Sequence, residues 1–134
     1  MGMGALAAKR GDQVMGVDIH IVLVPAVAPI PTPLPHVFAG ALNGGLATSV
    51  KIAGMAAATK DSTADNSPAH IATPPGVSFQ KPPANRGTVL MGSAMVKIGG
   101  KPAARAGDMV KTCNDPTDLP VGSIVAAGTV LVGG

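Results

Sequence analysis

At 134 residues, with a formal net charge of +3, the chain has the length of one ordinary domain. It contains no Trp or Tyr, two Phe, 18 Gly and 13 Pro, yet 46% of its residues are apolar. That excludes a broad interior filled with large rings, and it excludes long helices between such frequent breakers. All seven acidic residues are Asp, a turn-former, and none is the helix-favouring Glu. The ten Lys and Arg are scattered and no aromatic stacking platforms accompany them, which argues against nucleic-acid binding. No apolar run reaches the roughly 20 residues of a membrane helix. The single cysteine excludes an internal disulfide and fits a reducing compartment of synthesis.

In chain order, Met1 to Asp12 turns basic at Lys9-Arg10 and lacks the apolar core of a signal peptide, so cytoplasmic synthesis is expected. Val17, Ile19, Ile21 and Leu23 then alternate with Asp18, His20, Val22 and Val24, which predicts a strand with His20 on the opposite side from the first set. Pro29, Pro31, Pro33 and Pro35 punctuate Pro25 to Pro35, which reads as an extended, polyproline-like arm on the surface and not as a regular strand. Lys60 to Pro75 and Phe79 to Arg86 read as polar, Pro-broken loops. Thr88 to Met91, Met95 to Ile98, Ser123 to Ala126 and Thr129 to Val132 are the remaining predicted strands.

Internal similarity runs through this order. Val96-Lys97-Ile98-Gly99-Gly100-Lys101-Pro102-Ala103-Ala104-Arg105 leads into Gly107-Asp108. Val50-Lys51-Ile52-Ala53-Gly54 to Thr59 leads into Lys60-Asp61, one residue short before the Asp. Ala7-Ala8-Lys9-Arg10-Gly11-Asp12 is a third version, and Gly87-Thr88-Val89-Leu90 matches Gly128-Thr129-Val130-Leu131. The unit is a short strand, a Gly turn, a second strand, a Gly-Asp turn and a long loop. Three such units predict an all-β, pseudo-threefold body, since one alone could not bury its own apolar face.

The stock of nitrogen and sulfur metal ligands is four: His20, His36, His70 and Cys113. A structural zinc takes four such ligands in a tetrahedron. His20, His70 and Cys113 each follow a repeated turn, so a zinc site at one end of the body is expected; His36 ends the Pro-rich arm, outside the repeat-equivalent positions, and a water or an Asp can stand in its place as fourth ligand. A closed site of this kind staples a ring-poor domain and leaves no position for an activated water, which argues against hydrolysis. Other chemistry is thin. The serines lack a nucleophile elbow, Cys113 with a His as a thiol pair is explained better by ligation, and the Gly-rich strings lack a phosphate-loop Lys-Ser/Thr. No enzyme activity is expected.

Pro102-Ala103-Ala104-Arg105 with Gly107-Asp108, preceded by Val96-Lys97-Ile98-Gly99-Gly100, resembles the PAAR-repeat family, and the similarity extends over nearly the whole chain. Pro35-His36-Val37-Phe38-Ala39-Gly40 and Thr112-Cys113-Asn114-Asp115-Pro116 look like the version found with contractile injection particles. The resemblance implies a short cone of β-strands with zinc near its apex, here on His20, His70, Cys113 and, by position, His36. It implies a flat base that plugs a trimeric VgrG-like spike, one tip per trimer, in a type VI secretion system, phage-like tail or extracellular particle. The function so implied is a structural tip that caps and sharpens the spike and touches the target membrane transiently during piercing. The alternative is an adaptor that recruits effector cargo through Pro25 to Phe38 and Lys60 to Arg86. The strand pattern leaves room for one tip domain over 1–134 and no fused effector.

Overall fold

The computed structural model describes residues 4–134; Met1, Gly2 and Met3 of the N-terminal segment lie outside the described residues. The strands are β1 (Ala5–Leu6), β2 (Gln13–Val24), β3 (Ile30–Gly44), β4 (Ala47–Ile52), β5 (Met55–Ala57), β6 (Thr63–Asp65), β7 (Ser78–Phe79), β8 (Arg86–Val89), β9 (Lys97–Ile98), β10 (Lys101–Pro102), β11 (Met109–Thr112), β12 (Leu119–Val125) and β13 (Leu131–Val132). The fold is all-β, with no helix among the described residues.

Three antiparallel pairs, β2–β3, β6–β8 and β11–β12, form the wall. Each joins the next, through β3–β6, β8–β11 and β12–β2, so the sheet closes into a small barrel. Closure leaves no open edge within the ring. β7 adds to the far part of β2.

The threefold order is visible in the hydrogen bonds. Ala8 N–H donates to Ala104 O (2.9 Å), Ala104 N–H to Ala58 O (3.0 Å), and Ala58 N–H back to Ala8 O (3.0 Å). This ring of three strand fragments closes one end, and only small side chains fit where three backbones meet; all three alanines are buried. Above it, Leu42, Val89 and Ile124 form one buried layer and Val14, Ala64 and Val110 another. Each layer takes one residue from each pair of strands, which is how a core this thin is filled without large rings.

Around the alanine end lie three two-stranded sheets, β4–β5, β9–β10 and β1–β13. In the first two, Ala53-Gly54 and Gly99-Gly100 make the turn, all four residues with positive φ (51° and 83°, 59° and 82°). Two left-handed residues in sequence are what a tight two-residue hairpin needs. The third sheet pairs the two ends of the described chain, Ala5 with Val132 and Leu6 with Leu131.

The repeated turn needs one correction. Asp61 is not the partner of Asp12 and Asp108; Ser62 is. Lys9 N–H donates to Asp12 Oδ2 (3.1 Å), Arg105 N–H to Asp108 Oδ2 (2.7 Å), and Thr59 N–H to Ser62 Oγ (3.0 Å). Asp61, with φ 74°, stands where Gly11 (90°) and Gly107 (86°) stand, a left-handed position that Asp tolerates better than most residues. No residue is missing: the second and third copies align without a gap from Ile52 and Ile98 to Ser62 and Asp108. The Gly-Thr-Val-Leu match is likewise not structural. Gly87-Thr88-Val89 corresponds in the barrel to Gly40-Ala41-Leu42 and Gly122-Ser123-Ile124, while Leu131–Val132 pairs with Ala5–Leu6 outside the ring.

The second correction concerns the Pro-rich arm. Ile30 to Pro35 belongs to β3 and pairs with β2 as far as Val24↔Ile30. Leu42 N–H donates to Asp12 O, which fixes the parity: even-numbered residues of β3 point their amides at β2. Pro31, Pro33 and Pro35 are odd, so their missing donors fall on the outer edge and the ladder to β2 loses nothing. The strand from Thr63 to Asp65 also lies inside a segment expected to be loop, and Ser78–Phe79 pairs at the edge of another.

Candidate metal centre

At the end of the barrel away from the alanine ring, Asp18, His20, His70 and Cys113 converge, with one donor atom from each within 4.8 Å of the others. β2 supplies Asp18 and His20, two residues apart and therefore on the same inward face. His70 sits in the loop after β6 and Cys113 directly follows β11. His20 and His70 each follow their capping residues, Asp12 and Ser62, by eight positions, whereas Cys113 follows Asp108 by only five. Cys113 therefore reaches the cluster from a position that is not equivalent to the histidines.

Cys113 Sγ is 3.6 Å from Asp18 Oδ2 and 3.7 Å from His20 Nε2, and His20 Nε2 is 3.9 Å from Asp18 Oδ2. A tetrahedral ion with ligand bonds of 2.0–2.3 Å separates its donors by about 3.3–3.8 Å. The first two separations fall within that range and the third lies just above it. His70 Nε2 is 2.8 Å from Asp18 Oδ2, a hydrogen-bond distance. The mixed set of thiol, two imidazoles and one carboxylate suits a borderline-soft divalent cation of the zinc type.

Asp18 is fully buried and was missing from the set read from the sequence, although its alternation with His20 already placed it on the same face. Its other oxygen, Oδ1, accepts a hydrogen bond from the Thr112 hydroxyl and lies 3.5 Å from Asn114 Nδ2. Asn114 in turn accepts the Ile19 amide at 2.6 Å, tying the carboxylate to its own strand. His70 Nδ1 is 3.2 Å from Asn66 Nδ2, and Asn66 Oδ1 accepts the Ala39 amide at 2.9 Å. Such outer contacts hold ligands in position.

His36 is buried nearby, its ring centre 5.5 Å from those of both His20 and His70, but it stands outside the four-donor group. Its Nδ1 is 2.9 Å from Leu34 O, and its Nε2 accepts the Thr73 amide at 3.3 Å and lies 3.0 Å from the Thr73 hydroxyl. Both nitrogens are thus committed to β3 and the loop around Thr73. The two aromatic residues of the chain flank the histidines: Phe79 lies 5.6 Å from His20 and 5.3 Å from His36, and Phe38 lies 6.4 Å from His70, ring centre to ring centre.

Burial disfavours the charged forms of both His20 and Cys113. Burial, reinforced by His70, holds the His20 imidazole below its usual pKa. Burial and the charge of Asp18 push the Cys113 thiol up to about 11. A bound cation reverses that logic and turns a thiol into a thiolate ligand. His20 Nδ1 is buried without a partner, and His20 also lines a partly open cavity of about 20 Å³, large enough for one water.

Fold and site together define a class: a single-chain, pseudo-threefold β-barrel closed at one end by alanines and at the other by a group able to bind a metal. The PAAR motif model matches residues 80–134, which supports the PAAR-repeat spike-tip family, whose members are spike-associated proteins of secretion or contractile systems. The match spans the third copy and the β8 strand that precedes it. Comparison with curated proteins and with solved structures gave no match.

Proposed function

We propose that this chain is the structural tip of a contractile injection machine, capping and sharpening a trimeric VgrG-like spike and helping it through the target membrane. The observation that carries this reading is the closed ring of Ala8, Ala58 and Ala104 with its three flanking two-stranded sheets. One chain thereby offers three similar faces at one end, which suits a threefold partner. Open β-helix ends carry unpaired backbone groups, and a cap satisfies them. The particle that carries it is assembled in the bacterial cytoplasm and released with it.

Zinc is the ion this reading assigns to the centre, held by His20, His70, Cys113 and Asp18, with His36 beside it. Zinc here supplies cross-linking of β2, the His70 loop and the end of β11. Four protein donors saturate a tetrahedral ion, so the role is structural and not enzymatic. Replacing His36 by Ala leaves zinc bound, whereas Asp18→Asn weakens it roughly tenfold or more; titration of chelator-treated protein distinguishes the two.

The tip role is tested by mixing purified chain with its cognate trimeric spike and weighing the complex by light scattering. One chain per trimer is expected. Three chains per trimer, or no complex with a well-folded spike, contradicts the proposal.

A further inference from the structure

Strands β2 and β3 bury polar side chains beside the apolar Val14, Val22, Phe38 and Leu42, and they expose a run of apolar ones. Asp18, His20 and His36 point inward, while the outward set on β2 from Met15 is Met15, Val17, Ile19, Ile21 and Leu23. Across the ladder these meet Ala39, Val37, Pro35, Pro33 and Pro31 in turn. Between Asp18 and Lys51 the sequence has no Asp, Glu, Lys or Arg. The β2–β3 ribbon continues past the barrel to the turn at Pro25–Pro29, where Val27 is fully exposed and Ile30 half-exposed. The wall at β6 and β8 is unlike this, since Asp65 and Arg86 face outward there and pair at 3.0 Å; β11 exposes Lys111 beside Met109, and β12 exposes the shorter apolar set Leu119, Val121 and Val125.

The backbone of the ribbon is as unusual as its side chains. Along β2 the outer edge is taken up, since Ile19 O, Ile21 O and Leu23 O accept the amides of Asp115, Gln80 and Val77. Along β3 the outer edge belongs to odd residues, and at 31, 33 and 35 these are prolines. From Ile30 to His36 that edge presents no N–H at all. A protein strand, including a second copy of this chain, gains little by pairing there, because the donors it would meet are missing. Hydrocarbon penalises every unpaired backbone group by several kcal/mol, so an edge whose donors are replaced by proline rings enters lipid at lower cost than an ordinary edge, its carbonyls alone remaining unpaired.

We infer that the β2–β3 ribbon from Ile21 to Pro33 is a lipid-engaging wedge, with Val27 and Ile30 leading it into the acyl region of a bilayer. This deepens the membrane step of the proposed function by assigning it to one element, but its test uses the free chain, so it can fail while spike capping stands. Binding to vesicles of neutral phosphatidylcholine is the probe, read by flotation at physiological salt. The full chain is expected to float with the vesicles. Val27→Asp together with Ile30→Asp should reduce the bound fraction by roughly tenfold or more. Met95→Asp, at an apolar site whose exposure lies between those of Val27 and Ile30, should leave it unchanged. Zinc content checks that each variant is folded. Equal binding by the ribbon variant and the unmodified chain overturns the inference. So does the absence of vesicle binding, or a concentration-dependent dimer that the ribbon variant abolishes, which would assign the surface to a second copy.

Discussion

At position 9, 59 or 105 of the repeated turn, the side chain matches the residue three places on. Arg105 makes a two-pronged contact with Asp108 (3.2 and 3.0 Å), and Lys9 Nζ meets Asp12 at 3.0 Å. The second copy has Thr59 and Ser62, both buried and neutral, with Ser62 donating to Gly45 O at 2.8 Å. The charge is thus present or absent as a pair. Arg105→Thr alone leaves the buried Asp108 carboxylate without its cation and should destabilise the fold by about 1–3 kcal/mol. Adding Asp108→Ser recreates the second copy's pair and should recover most of that loss, as read from denaturant midpoints of the zinc-loaded protein. Loss of the same size in the double variant would deny the pairing.

The buried centre gives a second prediction at this scale. With zinc removed, the His20 imidazole has a folded pKa below its ordinary 6.5, so the unfolded chain takes up its proton first. Stability from His20 is therefore complete above pH 6.5 and is lost as pH falls through the lowered folded value. Cys113 acts at the other limit: the unfolded thiol ionises near 9 and the folded one near 11, so stability declines as pH rises through that interval. Chelator-treated protein should show both losses in denaturant midpoints, and Cys113→Ser should lack the alkaline one.

Among the elements, the close approach of strands depends on glycine. A Cβ on Gly40 would run into the Asp65 carbonyl, and its counterparts Gly87 and Gly122 would meet Val110 Cγ1 at 2.9 Å and Thr112 Cγ2 at 2.8 Å. Gly40→Ala meets rigid backbone and should cost about 2 kcal/mol or more, measured by thermal unfolding; Gly122→Ala meets a side chain and should cost less. The prolines of β3 guard an edge. Replacing Pro31, Pro33 and Pro35 with Thr restores three outward donors and should convert a monodisperse chain into higher oligomers on size exclusion. A chain that stays monomeric would show that the edge is protected by something else.

At the scale of the molecule, the all-β class, the three copies and the convergence of His20, His70 and Cys113 were all legible in the sequence. Local strings carried that much: Pro-Ala-Ala-Arg, Val-Lys-Ile, and the alternation of β2. What was not legible depends on register. Ser62 can replace Asp in a cap because both offer one acceptor oxygen to the same amide, and Asp61 next to it drew the alignment astray. Pro at every second position removes donors from one edge only, and which edge that is depends on the pairing parity, which is set by Leu42 and Asp12. Asp18 carries a signal, two residues before His20 on one face, and an Asp is the open alternative to His36; that it is this one of the seven depends on which side chains turn inward at the end of the barrel.

Metal content of the purified full chain bears most directly on the whole account, since the proposed zinc ties β2, the His70 loop and the end of β11 together. Elemental analysis should find one zinc per chain, retained in His36→Ala and lost or sharply reduced in Cys113→Ser. Zinc well below one per chain in the unmodified protein, or equal retention in Cys113→Ser, would contradict a metal-pinned spike tip.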